Sequence, residues 1–126
     1  MTALAALVVA AGIATHTSPF GTVLFDQRGQ ALYAFTHDAP ARSRCTGACL
    51  AAWPPFLAPH GVRALKGVDA TRITTFRRPD GRRQVAYAGH PLYFYGGDPR
   101  GRILCQNVRE FGGLWLVVRP SGALVR

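Results

Sequence analysis

The sequence predicts a mostly β fold: a small single domain of antiparallel hairpins and meanders, built from a duplicated half, with one short helix near 46–53. Three observations predict it. Fourteen glycines and nine prolines in 126 residues favour short strands joined by tight turns over a helical bundle. Strand-like apolar runs are separated by Gly, Pro and Asp turn signals. A motif of ten residues recurs 60 positions further along the chain.

The elements follow in chain order. Ala3 to Ala14 (ALAALVVAAGIA) is an uncharged run of small and aliphatic residues. It is too short for a bilayer span, which takes roughly 20 residues. It has the length of a signal-peptide apolar region, with Val8-Val9-Ala10 or Gly12-Ile13-Ala14 as a small-residue cleavage site. The alternative is a buried N-terminal helix or strand. Residues 1–16 are read as signal peptide or apolar segment, and 17–126 as one β-rich domain with repeats at about 21–60 and 71–122.

Val23 to Phe25 and Leu32 to Phe35 flank a polar turn containing Gly29, which reads as a hairpin. Thr46 to Trp53 is the helical candidate, ended by Pro54-Pro55. Ile73 to Arg77 and Arg83 to Tyr87 flank Asp80-Gly81, a strong turn dipeptide. Ala88-Gly89-His90-Pro91 then turns the chain into Leu92 to Tyr95, giving a three-stranded meander. Leu114 to Arg119 is the last long strand, and Ala123 to Val125 can pair back on it.

The recurring motif is G-x-x-L-Y-x-aromatic-x-x-D, from Gly29 to Asp38 and again from Gly89 to Asp98. Trp53 trails the first copy and Trp115 the second, at nearly equal spacing. A duplicated half-domain explains both. Tyr33 with Phe35, and Tyr93 with Tyr95, lie two apart and so share a face of the sheet. Such aromatics fill a core; stacking on a ligand, extended by Trp53 and Trp115, is the alternative. Asp38 and Asp98 end the repeated strands. Each lacks a neighbouring acid, which favours capping a turn over holding a cation.

Fifteen basic residues against six acidic ones leave a net charge of +9. Such a chain is attracted to anionic surfaces. Arg77, Arg78, Arg82 and Arg83 surround the Asp80-Gly81 turn, reading either as a solubilising surface or as a docking site for anionic lipid, envelope polymer or an acidic protein face. Cys45 and Cys49 are four apart around Gly47, fit for a local disulfide in an oxidising compartment. A reduced pair holding a soft metal, with His37 as a third ligand, is the alternative. Cys105 is left over, as a buried thiol or an intermolecular bridge.

Taken together, Leu32-Tyr33-Ala34-Phe35-x-x-Asp38, Cys45-Thr46-Gly47-Ala48-Cys49 with Ala52-Trp53-Pro54-Pro55, the Asp80 to Tyr93 segment and Gly112-Gly113-Leu114-Trp115 resemble the bacterial "secreted repeat of unknown function" lipoproteins. The resemblance covers about Gly21 to Gly122. It implies export, a duplicated β-rich domain and the Cys45–Cys49 pair, and it implies no biochemical activity. No cysteine follows the apolar run to accept a lipid, which favours a soluble periplasmic or secreted form that can associate with the outer face of a membrane.

Catalytic signatures are missing. No G-x-S-x-G, phosphate-binding glycine loop or local carboxylate pair is present, so the chain reads as no enzyme and as needing no cofactor. The expected function is a non-catalytic binding or accessory module of the envelope, including as a subunit of a larger complex. Its expected partners are other envelope proteins or an anionic envelope surface, and not nucleic acid, from which export separates it. The alternative is a metal or redox protein using Cys45 and Cys49.

Overall fold

The computed structural model describes residues 10–126. The start of the apolar run and most of the Val8-Val9-Ala10 motif lie outside the described residues. Among the described residues, nine strands form two sheets. β1 (Ala11–Ser18) and β2 (Gly21–Asp26) make an antiparallel hairpin, with Ser18 opposite Gly21 across a two-residue turn. β3 (Tyr33–Phe35) leads through α1 (Ala48–Ala52) to β4 (Val62–Ala64), which lies parallel to β1. β5 (Ile73–Arg77), β6 (Arg83–Tyr87) and β7 (His90–Tyr93) form the meander, and β8 (Val108–Glu110) pairs with β9 (Gly113–Val117). The small sheet has the order β2-β1-β4 and the large one β5-β6-β7-β3-β9-β8.

The large sheet separates two cores, and period two decides which residues enter each. Tyr33, Phe35, Tyr93, Trp115 and Val117 face one side, where they meet Trp53, Cys45 and Cys49. Leu32, Ala34 and Leu92 face the other, packing on Ile13, Leu24, Val85 and Tyr87. β3 is therefore buried on both faces, which is why its sequence reads as continuously apolar.

The duplication is visible as geometry. β3 and β7 are antiparallel neighbours whose equivalent residues, Tyr33 and Tyr93, are register partners. Val117 lies opposite Tyr33, and Pro55 bridges to Tyr93 in the matching place. The repeats thus form one structure around a local two-fold and not two adjacent lobes.

Several expectations need correction. β2 and β3 are a hairpin only near the turn, where Asp26 N–H donates to Gln30 O (2.8 Å) and Phe25 bridges Ala31. Beyond it they part into different sheets, because β2 is taken by β1 and β3 by β7 and β9. The β1–β4 pairing, which the sequence reading does not address, is parallel beside the antiparallel pairs of the rest of the fold. The described fold also starts before residue 17: β1 begins at Ala11 and Ile13 is fully buried. Helix α1 is shorter than 46–53, since Gly47 is left-handed (φ 58°) and the residue before Pro54 is biased away from helix.

Candidate functional site

The aromatic core is organised by two exchanged hydrogen bonds. Tyr33 Oη donates to Asp98 Oδ2 at 2.6 Å, and Tyr93 Oη donates to Asp38 Oδ2 at 2.7 Å. Each tyrosine thus serves the aspartate of the other repeat. The second oxygens take backbone amides six residues on: Asp38 Oδ1 from Arg44 N (2.6 Å) and Asp98 Oδ1 from Leu104 N (3.0 Å). Capping by aspartate is present, as the repeats imply; the tyrosine donors from the opposite repeat are not legible in local sequence. Both oxygens of each carboxylate are occupied by donors and no second acid joins them, which does not suit a cation site.

Burial pushes both carboxyls above their usual range, against these hydrogen bonds, which favour the charged form. Burial, followed by the facing aspartate, pushes the Tyr33 and Tyr93 hydroxyls far up as well. Both remain donors throughout the physiological range.

Trp53 and Trp115 stack on each other at 4.0 Å, with ring planes 6° apart and both fully buried. Tyr33 meets Trp53 edge-on at 5.1 Å, and Tyr93 meets Trp115 edge-on at 5.1 Å. Phe35 stacks on Trp115, and Tyr95 tilts against Trp53. Tyr33, Phe35, Tyr93, Trp53 and Trp115 are buried against one another as core, and Tyr95 is half-buried at the edge of the cluster. Glu110 collects both indoles, taking Trp53 Nε1 on its carboxylate and Trp115 Nε1 on its backbone carbonyl.

Cys45 and Cys49 are bonded to each other across α1's first turn. With both sulfurs in a disulfide neither is a thiolate ligand, and His37 is exposed, its ring lying against Phe35. Among the described residues no group of three His, Cys, Asp or Glu side chains converges. Cys105 lies 60 positions after Cys45, at the equivalent place of the second repeat, where Arg109 stands in the position of Cys49. That equivalence was available from the repeat offset and explains an odd cysteine: it is the unpartnered half of a duplicated pair. Its thiol is half-buried, and burial pushes its pKa up.

The arginines divide. Arg77 and Arg83 are exposed register partners at the end of the β5–β6 ladder, and Arg82 grips Asp80 through Nε (3.0 Å) and Nη2 (2.8 Å). Arg78 is not at the surface, contrary to the expectation of four free guanidinium groups. It is 3% exposed, with Nη1 on Ser43 Oγ (2.9 Å) and Gln84 Oε1, and Nη2 on Cys45 O (2.9 Å). Ser43 in turn contacts Tyr93 Oη at 2.6 Å. Ser43 and Gln84 carry no local motif, which is why the sequence reading passes over them.

Comparison with known proteins adds one match. The family described as "secreted repeat of unknown function" matches residues 14–56 and 74–119, as two copies. No curated protein and no solved structure matches the chain.

Proposed function

We propose, from the premise that the chain belongs to this family of secreted repeats, that it is an exported, non-catalytic module held to an anionic envelope surface by its arginine-rich face. The interlocked aromatic core, the disulfide and the exchanged Tyr–Asp pairs make a rigid support. Among the described residues, no helix is long and apolar enough to cross a membrane. The observation that carries the reading is Arg77 opposite Arg83. Like charges directly across a ladder destabilise a hairpin, and neither residue has a carboxylate within 4.0 Å. Such a pair is relieved by an anion.

The residues that would do this are Arg77 and Arg83, with Arg82 largely neutralised by Asp80 and Arg78 reserved for the interior. Near an anionic membrane each basic residue contributes about 1 kcal/mol, so the pair contributes about 2 kcal/mol. Co-sedimentation of wild type and Arg77→Gln/Arg83→Gln with isolated envelopes tests this. Loss of most retention in the variant supports the reading, and equal retention contradicts it.

A further inference from the structure

Beside the hairpin tip lies a cleft of about 480 Å³ between the 39–44 loop and the end of β5. We propose that this cleft binds the phosphate group of a small phosphate ester. Arg42, Arg44, Arg77 and Arg78 line it, Phe76 and Pro79 form an apolar wall, and no acidic residue is among its lining. Arg78 carries a positive charge beneath it: the side chain is almost wholly buried, and its Nε has no hydrogen-bond partner. Its nearest carboxylate oxygen, Asp80 Oδ2, is 3.7 Å away and already takes two bonds from Arg82. A buried guanidinium with no well-formed ion pair is costly, and an oxyanion held close by offsets that cost.

The loop that presents the other arginines is held in place. Arg44 N–H is fixed by Asp38 Oδ1 (2.6 Å), Arg44 Nη1 donates to His37 O (3.2 Å), and Ala41 N–H donates to Gly89 O (2.8 Å). Neither Arg42 nor Arg44 has a carboxylate within 4.0 Å. Four guanidinium groups exceed what the two neighbouring carboxylates, Asp38 and Asp80, neutralise. A phosphate ester brings close to two negative charges and three strong acceptor oxygens, and guanidinium forks match that geometry. The Phe76–Pro79 wall is left for the rest of the ligand, and the volume suits a sugar phosphate or a lipid headgroup. Ser43 ties Arg78 to Tyr93, so the floor of the cleft is joined to the exchanged pairs of the core.

The cleft shares Arg77 with envelope docking, and the remaining residues tell the two apart: Arg42 and Arg44 belong to the cleft alone, while Arg83 belongs to the tip alone. The test is titration of the folded protein at low ionic strength with glucose 6-phosphate, followed by amide shifts and by calorimetry. A parallel arm uses phosphatidylglycerol vesicles with glucose 6-phosphate as competitor. Saturable binding is expected, with shifts centred on Ser43, Arg44 and Phe76 of the wild type. Arg42→Gln/Arg44→Gln should weaken it by about tenfold or more, as expected when charge-assisted bonds are lost. Arg83→Gln should leave it unchanged, as should Arg100→Gln/Arg102→Gln at two exposed arginines that do not line the cleft. Vesicle binding that depends on Arg42 and Arg44 and is displaced by the competitor supports the cleft with lipid as the source. Overturning results are shifts spread over all exposed arginines, equal weakening by the Arg100/Arg102 variant, or binding in both arms indifferent to Arg42 and Arg44. Absence of binding in both arms also overturns it. Loss of envelope retention in Arg83→Gln with glucose 6-phosphate affinity intact separates the two readings.

Discussion

Tyr33 and Tyr93 face each other as register partners across β3 and β7, and each donates a hydrogen bond from its hydroxyl to the aspartate of the other's repeat. The first consequence is energetic. Tyr33→Phe leaves Asp98 Oδ2 without its donor in a nearly buried site, and Tyr93→Phe leaves Asp38 Oδ2 without its donor in a half-buried one. Each should cost about 1–3 kcal/mol in urea unfolding. A Tyr33→Phe/Asp98→Asn cycle should show coupling of about 0.5–3 kcal/mol; additive losses would show that the contact contributes nothing.

The pH dependence has a definite sign. Burial raises the Asp38 and Asp98 carboxyls above 3.8, so the folded state binds their protons more tightly than the unfolded chain. Their contribution is fully present below the unfolded value and is lost as pH rises through the folded one. His37, Arg44 and Arg78 surround Asp38 and moderate the shift. Between about pH 4 and 7, Asp38→Asn and Asp98→Asn should therefore show a more positive slope of stability against pH than wild type. A less positive slope would mean that the carboxyls are stabilised as anions.

Thiol counting checks the disulfide assignment. Denatured, unreduced protein should show one reactive thiol, that of Cys105, and three after reduction. The loop closed by Cys45–Cys49 is short, so Cys45→Ser/Cys49→Ser should cost only about 1–3 kcal/mol. Trp53→Ala or Trp115→Ala, by contrast, opens the stacked core and should cost about 3–5 kcal/mol.

Processing of the N-terminus is constrained by β1. Cleavage after Ala14 would remove the buried Ile13 and cut the strand, whereas cleavage after Ala10 leaves β1 whole. If the apolar run is a cleaved signal peptide, N-terminal sequencing of the mature protein should therefore begin no later than Ala11; a start at Thr15 would contradict the place of β1 in the sheet.

Much of this fold is legible in the chain because its signals are local. The Asp80-Gly81 turn fixes β5 and β6 at the residues the alternation implies, and the Leu-Tyr-x-aromatic repeat marks β3 and β7. β4 and β8 are three residues each and partly exposed, too short to show a period. What decides the site is longer range. Arg78 reads as one more surface arginine beside a turn, and only the approach of Ser43, Cys45 and Gln84 turns it inward. Tyr33 and Asp98 are 65 residues apart, and no spacing rule couples them; only the repeat offset hints that whatever Tyr33 does, Tyr93 does in reverse.

Attachment to an anionic surface by exposed arginines is tested most directly by its salt dependence. Screening shortens from about 10 Å at 0.1 M to about 3 Å at 1 M ionic strength, while buried contacts are screened far less. Retention of the wild-type protein on isolated envelopes should therefore fall steeply across that range, and Arg77→Gln/Arg83→Gln should give weaker retention with a shallower salt dependence. Retention that persists at 1 M salt, or the same salt dependence in both proteins, would contradict attachment through the arginine face.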